Sequence, residues 1–345
     1  MRIQSDFKRL RTALLGGQAD RVPLMELAVD VKVMGAFLGR EILYTRDRVD
    51  FALAAGYDYV RLAPKIDMNP GKKQPREGVR ITAATAQDAA RTWHAEGQGI
   101  ITSIADFEQF RWPTLAEVDF SVFEEIQAFL PAEIKIVGQY GDIFTWIWDF
   151  MGFESFSFAL VENPELIELL FEKVGSIELE LFRTMADFDN VGALFYSDDI
   201  AFGSGLLMSP NVFRTYLFPW MRKIAAICQA KNIPFIYHTD GKIWQVLDDL
   251  HEIGVNALQP LEPQAIDIRE VKKQYGHQFC LIGNIDVDLL SRGTPEEIDR
   301  VAKGLIEDVG PGGGYCLGSG NTVPAYVPIE NYRAMVEAAW KYGAY

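Results

Sequence analysis

The stretch Ile233-Pro-Phe-Ile-Tyr-His-Thr-Asp-Gly241 is a short apolar run that stops abruptly on a histidine, an aspartate and a glycine. An apolar run of about four to eight residues bounded by turn formers predicts a buried strand. A strand that carries His238 and Asp240 at its C-terminal tip sets two polar groups at the edge of a core. Working outward, segments of the same kind recur at 22–29, 57–62, 134–139, 191–196, 257–260, 279–283 and 314–318. Amphipathic stretches separate most of them, the clearest at 46–55 and 164–187. Several of the apolar segments alternate only weakly, as strands covered on both faces of a parallel sheet do.

Strands alternating with helices over somewhat more than about 250 residues predict a single (β/α)8 barrel domain spanning residues 1–345. A doubly wound open sheet is the alternative. No G-x-G-x-x-G follows the first strand, which counts against dinucleotide binding. Residues 66–108 break the alternation. Asn69-Pro-Gly-Lys-Lys73 is a turn-rich basic loop, and 78–82 can pair with 92–95 as a hairpin. The segment reads as an insertion after the second strand that covers one end of the barrel.

The chain is 49% hydrophobic, ample for a large core. Its net charge of −15 and lack of a basic stripe argue against a nucleic-acid binder and disfavour anionic membranes. Cys228, Cys280 and Cys316 are odd in number and lack CxxC spacing, so a disulfide framework is not expected and a reducing cytoplasm suits them. Met1–Asp6 is charged and predicts no signal segment. No apolar run approaches the roughly 20 residues of a membrane span. A homo-oligomer is left open.

In a barrel the chemistry gathers where strands end. The strand ends here are Glu26 and Asp30, Tyr140 and Asp142, Asp198 and Asp199, His238 and Asp240, Gln259 and Glu262, Asn284 and Asp286, and Ser319 and Asn321. A purely structural barrel end has no need of so many carboxylates and amides around one histidine. His238 with Asp240 can ligate a metal, move a proton or bind substrate; the bland reading is a core histidine bonded to backbone. Asp198 and Asp199 can hold a cation or cap a helix. Glu26, in an apolar strand, must be paired or face a polar site. Cys316 reads first as a small core side chain and second as a metal ligand. The aromatic run 144–150 can wall a flat pocket or pack a helix.

The motifs then form a family pattern. Met208-Ser-Pro-Asn-Val-Phe213, Phe218-Pro-Trp220 and Lys223-Ile224 come first, followed by His238-Thr-Asp-Gly241. Gly283-Asn-Ile-Asp286 with Gly293 and Glu296-Glu297 comes next. Gly314-Tyr-Cys-Leu-Gly-Ser-Gly-Asn321 with Pro328 and Glu330-Asn331 closes the series. Together, from about residue 135 onward, they resemble the uroporphyrinogen decarboxylase superfamily, which also holds corrinoid-dependent methyltransferases. The resemblance implies a (β/α)8 barrel. True uroporphyrinogen decarboxylases carry an Arg-rich stretch after the first strand that binds porphyrinogen carboxylates. This chain has Met25-Glu-Leu-Ala-Val-Asp30 there, with two acids and no arginine. A substrate of many carboxylates needs cations to hold it, so that reaction is not expected.

The superfamily's zinc-dependent methyltransferases hold zinc through His-x-Cys and a later Cys. Here His238 matches, Asp240 stands at the first Cys, and Asn321 at the second. The thiolate site is therefore not matched; zinc held by His238, Asp240 and Glu26 is one chemical option, and a metal-free site is the other. The resemblance implies a methyltransferase that moves a methyl group from a small methoxylated or N-methylated donor to a corrinoid carried by a partner protein. His238, Asp240 and Asp198 are then the expected catalytic groups. Glu26, Tyr140, Asp142, Asp199, Gln259 and Asn321 are expected to bind and orient the donor. The competing readings are a decarboxylase or lyase acting on a smaller acid, which would need Arg61 or another cation at the pocket, and a non-catalytic ligand-binding barrel.

Overall fold

The computed structural model describes residues 4–68, 80–81, 91–92 and 99–345. Its frame is a seven-stranded sheet of β1 (Tyr59–Leu62), β2 (Lys135–Gly141), β3 (Val191–Ser197), β4 (Phe235–His238), β5 (Ala257–Gln259), β6 (Cys280–Ile285) and β7 (Tyr315–Ser319). Spatial order equals chain order, and every pairing is parallel. Each connection therefore steps one strand in the same direction, which with the native twist curls the sheet. Every residue of β3, β4, β6 and β7 is buried. Burial on both faces accounts for their weak alternation.

The expected first strand, 22–29, is the exception. It lies beside β7 through isolated parallel bridges, Leu24 with Leu317 and Val29 with Val323, and forms no regular strand. Pro23 has no N–H to give, and the N–H of Ser319 goes to the Glu26 carboxylate at 2.7 Å instead of to a main-chain carbonyl. Toward β1 one phenol stands in for a ladder. The Tyr59 hydroxyl accepts the Glu26 N–H at 2.8 Å and donates to the Glu26 carbonyl at 2.6 Å. A cavity of about 50 Å³, lined by Glu26, Val29, Phe51, Tyr57, Tyr59 and Arg61 among others, marks this seam. Among the described residues the main sheet thus has seven regular strands where eight were expected.

The outer layer follows from the helical signals. The helix Pro164–Ala186 begins with Asn163 accepting from Leu166 N–H and with Pro164 in its first turn, and buries Leu166, Leu170, Val174, Leu181 and Met185 on one face. Gly175 sits within that face because a Cβ there would lie 2.3 Å from the Trp220 ring. The helix Thr45–Ala55 ends at Gly56 in the left-handed region, φ 79°, where the chain turns into β1. Most of the 66–108 insertion lies outside the described residues. Within it Arg80–Ile81 and Arg91–Thr92 pair antiparallel. No helix among the described residues is long and apolar enough to cross a membrane.

Candidate active site

Register decides which polar side chains meet. Ser197 of β3 is the partner of His238 of β4, and His238 is the partner of Gln259 of β5. Partners in a parallel sheet point to the same face, so three polar groups stand side by side at the C-terminal edge. After His238 the chain must turn sharply. Gly241 has φ 82°, and a Cβ there would lie 2.6 Å from the carbonyl of Phe202. Lys242 N–H holds the same carbonyl at 2.9 Å. This turn folds Asp240 back toward His238.

Three ligand atoms converge there. The Oδ1 of Asp199 is 3.6 Å and the Oδ1 of Asp240 is 4.0 Å from His238 Nε2. All three lie within 4.8 Å of one another, a grouping compatible with a metal ion. Asp240 Oδ1 is buried and receives no hydrogen bond. Asp240 Oδ2 accepts from Asn321 Nδ2 at 2.6 Å, and Asp199 Oδ1 accepts the Asp240 N–H at 3.0 Å. His238 Nδ1 is 2.5 Å from Gln259 Oε1. Burial pushes the Asp240 carboxyl well above the ordinary range; His238 opposes this, and the Asp199 and Glu262 carboxylates add to it. A buried carboxylate oxygen without a donor calls for a positive partner, a proton or a cation. No lysine or arginine among the described residues forms an ion pair with Asp199 or Asp240.

Of the nine residues expected at the site, the structure joins five: Asp199, His238, Asp240, Gln259 and Asn321. Asp198 faces elsewhere. Its carboxylate accepts from Phe144 N–H (2.7 Å), Thr145 N–H (3.0 Å), the Thr145 hydroxyl (2.8 Å) and the Tyr196 hydroxyl (2.6 Å). From just past the end of β3 it caps the first turn of the helix Ile143–Met151, with four donors on its two oxygens. Glu26 is likewise taken up. Ser319 N–H and the Ser319 hydroxyl both reach its carboxyl, and burial raises it to about 8 against those two hydrogen bonds. Asp199, not Glu26, completes the ligand trio with His238 and Asp240. Tyr140 is the penultimate residue of β2, and Asp142, at φ 81°, opens the following helix with its N–H on the Ser197 carbonyl. Hydrogen bonds among the described residues do not link either to His238.

Cys316 is not part of the ligand grouping. It packs in β7 with its sulfur 3.8 Å from Cys280 Sγ, and burial raises its thiol. One polar group escaped the sequence reading. Gln139 Nε2 donates to the Ser197 hydroxyl at 2.8 Å, and Gln139 Oε1 accepts from Arg61 Nε at 3.2 Å. The available signal was an amide ending an otherwise apolar run. Glu262 also joins, accepting the Gly241 N–H at 3.1 Å.

Comparison with known proteins adds four findings. Residues 98–342 match the family model described as uroporphyrinogen decarboxylase (URO-D). Uroporphyrinogen decarboxylase of Coxiella burnetii is 23% identical over 252 residues, covering 69% of this chain and 67% of the relative. That of Shewanella halifaxensis is 24% identical over 198 residues, covering 56% and 53%. A solved methyltransferase from Methanosarcina mazei superposes with a TM-score of 0.68 at 21% identity, over 96% of this chain and 97% of its own. At that identity the likeness is one of fold, and it extends over nearly the whole of both chains.

Proposed function

The chain belongs to the uroporphyrinogen decarboxylase family, and from that premise we propose that it is a methyltransferase on a (β/α)8 barrel. It takes a methyl group from a small methoxylated or N-methylated donor and passes it to a corrinoid carried by a partner protein. The observation that supports this most is the convergence of Asp199, His238 and Asp240 on one point, with Asp240 Oδ1 buried and lacking a donor. Methyl transfer leaves both bonding electrons on the departing oxygen or nitrogen, so that atom needs a positive partner.

The trio fits a divalent ion such as zinc. At metal–ligand bonds of about 2.0–2.1 Å a tetrahedral site spaces its ligand atoms roughly 3.4 Å apart, close to the 3.6 and 4.0 Å found here. When bound, such an ion would act as a Lewis acid toward the leaving atom. This chain's own residues hold the geometry. Gln259 and Asn321 grip the ligands, the Gly241 turn presents Asp240, and Asp198 anchors the neighbouring helix. Three unpaired cysteines, all buried, suit a reducing cytoplasm.

A second reading, a decarboxylase or lyase acting on a smaller acid, draws on Arg61. Its guanidinium is held by Gln139, which in turn meets Ser197 beside His238. A carboxylate-bearing substrate would seek that cation.

The test is metal analysis of the purified wild type beside His238→Ala and Asp199→Ala, with transfer to free cob(I)alamin assayed over a panel of methoxylated and methylamine donors. Stoichiometric zinc that both variants lose, together with turnover on one donor, is the expected result. Wild-type protein that binds no divalent ion and transfers no methyl group would overturn the proposal. Loss of carbon dioxide from a small acid would favour the second reading.

A further inference from the structure

We infer that Gln259 and Asn321 are positioning residues that fix the tautomer of His238 and the rotation of Asp240, so that the ligand trio presents only acceptors to its centre. The inference rests on the cation-site reading above, but its evidence is the direction of the hydrogen bonds. Gln259 Nε2 lies 2.7 Å from the main-chain carbonyl of Asn321. A carbonyl only accepts, so the amide NH2 must face it. The Gln259 Oε1 then faces His238 Nδ1 at 2.5 Å, and Nδ1 must carry the hydrogen. The opposite amide orientation would set two acceptor oxygens against each other at 2.7 Å. In the neutral ring a hydrogen on Nδ1 leaves the Nε2 lone pair pointing toward Asp199 and Asp240.

The chain of bonds continues on the far side. Asn321 lends its carbonyl to Gln259 and its Nδ2 to Asp240 Oδ2 at 2.6 Å. Binding at Oδ2 leaves Oδ1 facing inward, where it has no donor. The run from His238 through Gln259 and Asn321 to Asp240 spans β4, β5 and the loop after β7, and joins the ligands to each other outside the centre. Its anchor is rigid, because Gln259 also accepts the Thr239 N–H on its main-chain oxygen at 3.1 Å. An oriented outer partner of this kind is typically worth about 10–100-fold in metal affinity.

The experiment uses metal-free protein labelled with 15N-histidine, with the His238 signal assigned by its loss in His238→Ala. Spectra are recorded over a pH series, and the tautomer is read from the neutral ring. Wild type should show the hydrogen on Nδ1. Gln259→Leu, similar in volume but without an acceptor, should move hydrogen toward Nε2 and weaken zinc binding about 10–100-fold. Gln259→Glu keeps an acceptor against Nδ1 but sets its second oxygen against the Asn321 carbonyl, so it should keep the hydrogen on Nδ1 while loosening the hold on Asn321. Asn321→Leu should weaken zinc binding and leave the tautomer unchanged. Circular dichroism confirms that each variant is folded. The hydrogen on Nε2 in wild type, or a Gln259→Leu protein with unchanged tautomer and zinc affinity, would overturn the inference. If the tautomer behaves as stated but wild type binds no divalent ion, the positioning role stands and the cation-site reading falls.

Discussion

Replacing Asp198 separates an anchoring role from a chemical one. Alanine at 198 removes the acceptor for two helix N–H groups and for the hydroxyls of Thr145 and Tyr196. The two N–H groups belong to the first turn of the helix Ile143–Met151, where no intrahelical acceptor exists. A buried donor left unpaired costs about 1–3 kcal/mol. The losses share one carboxylate and do not add in full, so about 4 kcal/mol is expected for Asp198→Ala. The carboxylate is itself costly to bury, as its raised proton affinity records. Asp198→Asn relieves that cost and keeps one acceptor, and should lose only about 1–2 kcal/mol. Urea unfolding followed by tryptophan fluorescence gives both numbers. Metal stoichiometry should stay at the wild-type value in the folded Asn variant, because the ligand trio does not include Asp198. An Ala variant as stable as wild type would refute the anchoring argument. An Asn variant of full stability that has lost all turnover would return Asp198 to the chemistry.

Two further perturbations follow from the same geometry. Glu26→Gln mimics the protonated carboxyl and should gain stability over wild type as pH rises from about 4.5 to about 8. The folded acid holds its proton up to about 8 whereas an ordinary glutamate loses it near 4.5. The folded state therefore binds the extra proton between those values, and the wild-type contribution falls as pH rises through that window, by at most about 1.4 kcal/mol per pH unit. Urea midpoints of the two proteins across pH 5–9 should diverge in that sense; parallel curves would refute it. Gly241→Ala forces a side chain into the left-handed region and into the Phe202 carbonyl. It should cost about 1–3 kcal/mol and release Asp240, lowering thermal midpoint and zinc content together; loss of neither would show that the turn does not set the site.

The strands and the His238–Gly241 tip were legible because apolar runs bounded by Pro and Gly leave little choice of element. What was not legible was the face each polar residue would take. Glu26 in an apolar segment satisfies the rule that a buried carboxylate be paired, but the rule does not name the partner. Ser319, almost the whole chain away in sequence, supplies both donors. The pair Asp198 and Asp199 makes the point sharper. Neighbours in an extended chain point to opposite sides, so one of the two had to miss the site, and nothing local says which. The Ser197–His238 register settles it. Ser197 and Asp199 fall on the side of His238, while Asp198 turns to Tyr196 and the helix end. A one-residue slip between β3 and β4 would exchange the two aspartates. Which of them meets His238 is thus a property of the packed sheet, set by every contact that holds those two strands in register.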